Sequence, residues 1–288
     1  MARNILPEPP AELKQFSHRL CERIDAEIRD GGFLPFSRFM EMALYEPGLG
    51  YYSAGLHKLG ASGDFVTAPE MGGLFAACLA EQARELAGWL GSYDLLEIGA
   101  GSGRLAAGIL LALDESSLPD RYLILERSAD LGRVQRQTIE RMAPQLAQRV
   151  HWLDSPPSEA WQGLVIANEV IDALAVERFQ VEDGRVEQLC VGSGEKFHWA
   201  SRPAPAQLEH AVRAVETDIG TAFPTGYRSE VLLPLTAWLD SVTSKLERGL
   251  ALFIDYGYPR SEYYLPERRD GTLMCHYRQR AHDDVFFW

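Results

Sequence analysis

Apolar residues at Leu13, Phe16, Leu20, Ile24 and Ile28 fall on one helical face, and Gly31-Gly32 stops the helix they predict. A second helix is predicted over residues 37–45, with Phe39, Met40, Ala43 and Leu44 turned inward. The pattern then lapses into a glycine-rich stretch from Glu46 to Pro69, too long for an idle connection and better suited to a binding loop or lid. Asp64, Thr67 and Glu70 are its polar candidates, although Asp64 and Glu70 also suit a turn and the start of the next helix. Periodicity returns at Phe75, Leu79, Ala83, Leu86 and Leu90.

From there strands and helices alternate. Apolar runs ending at Glu97, Glu126, Asp154 and Asn168 predict four strands, and Gly249 to Tyr258 predicts a fifth; helices are expected from about Arg104 and over 128–142, the latter ended by Pro144. Between the fourth and fifth strands lie two alternating segments around Asp183-Gly184, a hairpin signal, then a candidate strand from Phe197 to Ala200. Arg202-Pro203-Ala204-Pro205 reads as a linker, residues 206–219 as a helix, residues 235–246 as another, and Gly271 to Tyr277 as a candidate sixth strand. Strict alternation of this kind predicts an α/β fold with a mainly parallel, Rossmann-like sheet. Its expected parts are an N-terminal helical extension with a capping loop (1–90), the core (91–175 and 226–288), and an inserted hairpin and helix region (176–225) that serves as substrate platform or as decoration.

The candidate chemistry begins at the end of the first core strand. In Leu95 to Gly103, LLEIGAGSG, glycines at Gly99, Gly101 and Gly103 let the chain turn tightly and let a ligand approach backbone that a Cβ would block. A dinucleotide site wants G-x-G-x-x-G, but here the third glycine comes one residue early and Arg104 stands in its place. With Glu97 two residues ahead of the turn, the pattern fits a cofactor that has no phosphates but carries a cationic amino group and sulfonium, S-adenosyl-L-methionine. Glu126 follows Gly103 by 23 residues and ends the next strand, where an acid accepts hydrogen bonds from both ribose hydroxyls. The Asp154 region would flank an adenine, with Asp154, Trp152 and Leu153 not ranked. Because ligands of open α/β sheets bind outside the carboxyl ends of the strands, Asn168, Glu169 and Asp172 are placed at the site mouth.

Composition narrows the partners. Of 288 residues 46% are hydrophobic and 24% charged, the balance of an ordinary globule, and the net charge of −13 leaves no surplus of Lys and Arg for nucleic-acid phosphates or anionic membrane. Cys21, Cys78, Cys190 and Cys275 are too scattered for a disulfide or zinc framework, and the seven histidines form no metal constellation. The start, MARNILPEPPAEL, has neither an apolar signal core nor an Arg/Ser-rich transit segment, so a cytoplasmic location is expected.

Taken together, the blocks FMEMALYEPGLGYY (Phe39 to Tyr52), GDFVTAPE (Gly63 to Glu70), LLEIGAGSG, NEVIDAL (Asn168 to Leu174), YRSE (Tyr227 to Glu230), IDYGY (Ile254 to Tyr258) and Gly271 to Tyr277 resemble the MidA-like methyltransferases. This is a class I group that includes the mitochondrial complex I assembly factor that dimethylates an arginine. The resemblance implies a seven-strand class I fold and protein arginine N-methylation. Gly99, Gly101, Gly103 and Glu126 are then cofactor positions, and the GDFVTAPE loop, with Thr67 and Glu70, closes over the cofactor. Glu169 and Asp172 would hold the guanidinium, with Asp64, Glu70 and Asp255 behind them. The implied partner is a protein substrate, a respiratory-complex subunit being the model case; homodimerisation stays open, and nucleic acid and membrane insertion are not expected. Ala175 stands where the family commonly has proline, and the family continues beyond the position of Trp288, so the core is expected to be C-terminally incomplete. The rival readings are a methyltransferase fold kept as an assembly module and, behind it, a nicotinamide-dependent oxidoreductase.

Overall fold

In a computed structural model the chain is described over residues 6–53 and 68–287. In order it forms α1 (Ala11–Gly31), β1 (Leu34–Pro35), α2 (Phe36–Tyr45), α3 (Ala68–Met71), α4 (Gly73–Leu90), β2 (Asp94–Ile98), α5 (Arg104–Ala112), β3 (Tyr122–Leu125), α6 (Ala129–Met142), β4 (Val150–Leu153) and β5 (Trp161–Asn168). It continues with β6 (Glu177–Glu182), β7 (Arg185–Gly192), β8 (His198–Pro203), α7 (Ala206–Ile219), β9 (Tyr227–Val231), α8 (Leu235–Thr243), β10 (Leu246–Ile254), α9 (Arg260–Tyr263), β11 (Cys275–Tyr277) and β12 (Arg280–His282). These fall into two compact units. One takes its residues from Gly55–Asp172 and Thr236–Asp255, the other from Met1–Ala54, Ala173–Leu235 and Tyr256–Trp288.

The first unit is built on a parallel sheet of order β10-β5-β2-β3-β4. Every residue of β2 is buried, because helices cover both faces and a parallel strand in that position has no solvent side. Leu95, Tyr122, Ile124, Leu164 and Ile166 face the layer of α4 and α5, where Leu79, Ala83, Ala106, Ile109 and Leu110 fill the core. Leu96, Ile98, Leu123, Val165 and Ala167 face the other way, toward Val242 and Trp238 of α8. Burial of side chains this size supplies about 1.5–3 kcal/mol each, which makes the sheet the rigid part of the unit. Helix α8 ends at Thr243, earlier than the apolar spacing predicts, because the Lys245 carbonyl already accepts from the Trp161 N–H and Leu246 enters β10.

The second unit holds an antiparallel sheet of order β1-β7-β6-β9, with β8 also paired to β7. The Asp183-Gly184 turn joins β6 to β7 as its sequence signal predicts; Asp183 and Gly184 both take positive φ, 49° and 75°. Two segments depart from the sequence reading. Arg202 and Pro203 belong to β8, where an edge position lets proline pair without its missing N–H being felt. The segment from Gly271 adds no sixth strand to the parallel sheet: only Cys275–Tyr277 is extended, and it pairs with Arg280–His282 as a hairpin. Strand β9 is paired to β6, so the YRSE block lies in the antiparallel sheet and not beside β10.

A buried ion pair ties this unit together. Arg178 Nε donates to Glu230 Oε1 at 3.0 Å, with the two side chains 9% and 4% exposed. Arg178 also donates to the Asp270 carbonyl and lies 4.8 Å over the Trp199 ring, while Glu230 Oε2 accepts from the Thr272 N–H at 3.0 Å. A Cβ on Gly271 would come within 2.2 Å of Glu230 Oε1, so glycine is what lets the chain cross the carboxylate. Removing one member strands the other's charge out of water, which costs more than the pair itself contributes. Glu230→Ala is therefore expected to destabilise this unit by about 3–5 kcal/mol in urea denaturation, and the double variant Arg178→Met/Glu230→Leu by less than the sum of the single changes. Additive losses would show that the two side chains do not act as a pair.

Candidate cofactor site

Parallel register brings the carboxyl ends of the strands into line. Ile98 is level with Leu125 and Ala167, Leu125 with Leu153, and Asn168 with Ile254. The residues that come next along each chain, Gly99, Glu126, Asp154 and Asn168, therefore stand in one row at the sheet edge. Backbone bonds fix the row: Gly99 N–H donates to the Leu125 carbonyl at 3.1 Å, Glu126 N–H to the Leu153 carbonyl at 3.3 Å, and Glu169 N–H to the Ile254 carbonyl at 2.8 Å.

The glycine turn rises from this row. Gly99, Gly101 and Gly103 have φ of 67°, 52° and 80°, a region costly for residues that carry a Cβ. Space adds a second constraint. A Cβ on Gly99 would lie 3.1 Å from Val170 Cγ2, and one on Gly103 would lie 2.9 Å from the Gln135 Cα. Glu70 of α3 comes to the same turn: Ser102 Oγ donates to Glu70 Oε1, and Arg104 Nε lies 3.5 Å from Glu70 Oε2. Arg104, the residue that breaks the dinucleotide pattern, thus pairs with the acid beside the turn. Asp64 and Thr67 lie outside the described residues.

Glu97 is 3% exposed and accepts from the Tyr122 hydroxyl at 2.8 Å. Burial pushes its carboxyl up to about 7, against the hydrogen bond from Tyr122 and with the nearby Glu126 charge adding to the rise. Glu126 is also raised, by burial, while N–H donors from Ser128 and Gln135 oppose the rise. Its Oε1 accepts from the Ser128 N–H at 2.8 Å and its Oε2 from Gln135 Nε2 at 2.9 Å. The Arg127 N–H adds a further donor, and the half-buried carboxylate stands at the strand end where a ribose would come. Trp152 packs beneath Arg136, whose guanidinium lies 3.8 Å over its ring. Asp154 is exposed just beyond β4 and makes none of these bonds.

At the other end of the row the backbone of Glu169 is left-handed, with φ 52°. A single oxygen of Asp255, Oδ2, accepts from the N–H groups of Val170, Ile171 and Asp172 at 3.1, 2.7 and 3.2 Å. This carboxylate is committed to shaping the turn that carries Glu169 and Asp172. Asn168 Nδ2 is 3.5 Å from Glu169 Oε1, and the Asp172 side chain is exposed. Gln135, Tyr122 and Ser102 were not singled out by the sequence. For Gln135 a signal existed: with Gly132, Thr138 and Ile139 it lies on the buried face of α6, where an amide needs partners.

Glu97 has a measurable consequence. Between the ordinary carboxyl value of 4.5 and about 7 the folded chain keeps a proton that the unfolded chain has lost. The contribution is therefore full below the unfolded value and is lost as pH rises through the folded one. Thermal unfolding of the ligand-free protein should show stability falling by roughly 1–3 kcal/mol from about pH 5 to about pH 8, and Glu97→Gln should flatten that slope. An unchanged slope in the variant would assign the titration elsewhere.

A buried acid with a hydroxyl donor, a turn of three positive-φ glycines with close neighbours and a half-buried carboxylate at the next strand end suit a ligand with a cationic head and a ribose. The comparisons agree. Residues 74–288 match a family model described as "Putative S-adenosyl-L-methionine-dependent methyltransferase". A protein from Burkholderia thailandensis, solved bound to S-adenosyl-homocysteine, is 40% identical with a TM-score of 0.90, over 98% of this chain and 73% of that one. "Protein arginine methyltransferase NDUFAF7 homolog, mitochondrial" of Drosophila melanogaster is 26% identical over 96% of this chain and 69% of its own length. The Caenorhabditis elegans protein of the same name is 25% identical over 90% and 66%. The chain thus spans about two thirds of these curated relatives. Among the described residues no helix is long and apolar enough to cross a membrane. The fold is that of a class I methyltransferase with N-terminal helices and an inserted antiparallel sheet, the cofactor is S-adenosyl-L-methionine, and the chain belongs to this family of S-adenosyl-L-methionine-dependent methyltransferases.

Proposed function

We propose that this chain methylates a guanidinium nitrogen of an arginine in a protein substrate, with a subunit of a respiratory complex as the substrate class to test first. The curated relatives of similar sequence are named protein arginine methyltransferases, which supports the acceptor. The observation that carries the reading is the turn after β5: Glu169 and Asp172 stand on backbone braced by Asp255 and Ile254, and Val170 of the same turn packs against Gly99 of the cofactor cradle.

Bound S-adenosyl-L-methionine supplies an electrophilic methyl group on a sulfonium. In this reading Gly99, Gly101 and Gly103 let the backbone approach it, Glu97 faces its cationic end, Glu126 takes the ribose hydroxyls, and Asn168, Asp154 and Glu70 complete its surroundings, with Thr67 beyond the described residues. A guanidinium keeps its proton at any physiological pH, so the protein has to hold a cation and turn one nitrogen toward the methyl group. Two carboxylates do this through charge-assisted hydrogen bonds, and they receive the proton that the nitrogen sheds once the new bond has formed. No nucleophilic side chain is required; alignment and exclusion of water supply the rate.

Glu169→Gln should leave S-adenosyl-homocysteine affinity within about threefold in calorimetry, yet lower transfer of labelled methyl groups to protein in an extract lacking the activity by about a hundredfold. Asp172→Asn should act in the same direction. Parallel loss of binding and transfer would move Glu169 from the acceptor to the cofactor, and methylation confined to residues other than arginine would overturn the substrate.

A further inference from the structure

The buried face of α6 carries a polar side chain, Gln135, that the function above does not use. Gln135 is fully buried, and its single amide meets three parts of the cofactor site. One Nε2 hydrogen goes to the Gly101 carbonyl at 3.1 Å and the other to Glu126 Oε2 at 2.9 Å, while Oε1 accepts from the Trp152 indole N–H at 2.9 Å. Neither donor is spare and the acceptor is taken. The amide has only one workable orientation: turned over, its oxygen would face a carbonyl and a carboxylate, and its NH2 group an indole N–H. The helix lies close against the turn: a Cβ on Gly103 would come within 2.9 Å of the Gln135 Cα.

We propose that Gln135 is a positioning residue for the cofactor. It sets the plane of the Glu126 carboxylate against the glycine turn and against Trp152, and through that plane it sets the preference of the site for a ribose carrying both hydroxyls. The inference rests on the assignment of Glu126 to the ribose. Two neighbouring hydroxyls need a bidentate acceptor in a defined plane. Backbone N–H groups of Ser128 and Arg127 hold Glu126 from its own chain, and Gln135 adds the side-chain donor that ties Oε2 to the glycine turn and to Trp152. Glutamine is the residue that fits: glutamate would set a second carboxylate against Glu126 and the Gly101 carbonyl, and an aliphatic chain would leave three polar groups without a partner.

The test measures affinity for two probes, S-adenosyl-homocysteine and its 2′-deoxy analogue, by calorimetry on the full chain. Gln135→Met should weaken the first by about tenfold and the second by far less, so that the preference for the hydroxylated probe collapses. Glu126→Gln, which retains one acceptor oxygen but loses the bidentate carboxylate, should collapse it too. Equal weakening of both probes in Gln135→Met, or none, with the preference lost in Glu126→Gln, would overturn the role of Gln135 while leaving Glu126 on the ribose. An intact preference in Glu126→Gln would overturn the ribose assignment itself, and the proposal with it. Should Gln135→Met fail to fold, Gln135→Glu, which keeps the size and the acceptor for Trp152, is expected to lose the same preference; its retention would count against the proposal.

Discussion

Parallel pairing is the constraint on which the cofactor site depends. Five strands that run the same way must end on the same side, and their register here is tight enough that the next residues of four of them form a row. No side chain in that row has to reach far. Each is delivered by its own strand, and the central strands β2, β3 and β5 are buried on both faces, so much of the geometry is held by the stiffest part of the unit. The row is polar because strand ends are where the chain leaves the core, and it becomes a site because a turn of three glycines opens directly above it.

The acids along the row illustrate how one residue type is given different tasks by its surroundings. Glu97 is buried with a phenol and pushed up to about 7; Glu126 accepts from Ser128, Arg127 and Gln135; Asp255 spends an oxygen on three backbone N–H groups; Glu230, in the other unit, neutralises an arginine. Glu169 and Asp172 stand on the turn after β5, whose backbone Asp255 braces. Charge by itself would rank all six alike.

Much of this could be read from the chain. The alternation of strands and helices, the early third glycine and the acids that end successive strands predict the sheet and the cofactor, because each is a local pattern with a local cause. What escaped depends on distant partners. Gln135 is ordinary in a surface helix, and its importance comes from Gly101, Glu126 and Trp152, which lie 9 to 34 residues away in sequence. The proline in β8 hid the end of a strand, read as linker from Arg202, because the sequence does not say which strands are edges. The apolar run after Gly271 looked like a sheet strand, yet its Thr272 N–H goes to Glu230 and its Cys275–Tyr277 pairs as a hairpin with Arg280–His282. Asp255 was an acceptor candidate by position, and only the folded turn shows its carboxylate facing backbone.

The Arg178–Glu230–Thr272 junction has a bearing on how the protein is made. The antiparallel unit is drawn from three separated lengths of chain, and its buried pair is not enclosed until Gly271 and Thr272 have been synthesised. The strands β2 to β5, by contrast, are contiguous and need only β10 to complete their row. Closing a loop of this length is slow, and until it closes a charged arginine sits within an unfinished apolar layer. Synthesis from the amino end therefore completes the antiparallel unit's buried pair after the strands of the parallel sheet, the last of which ends at Ile254.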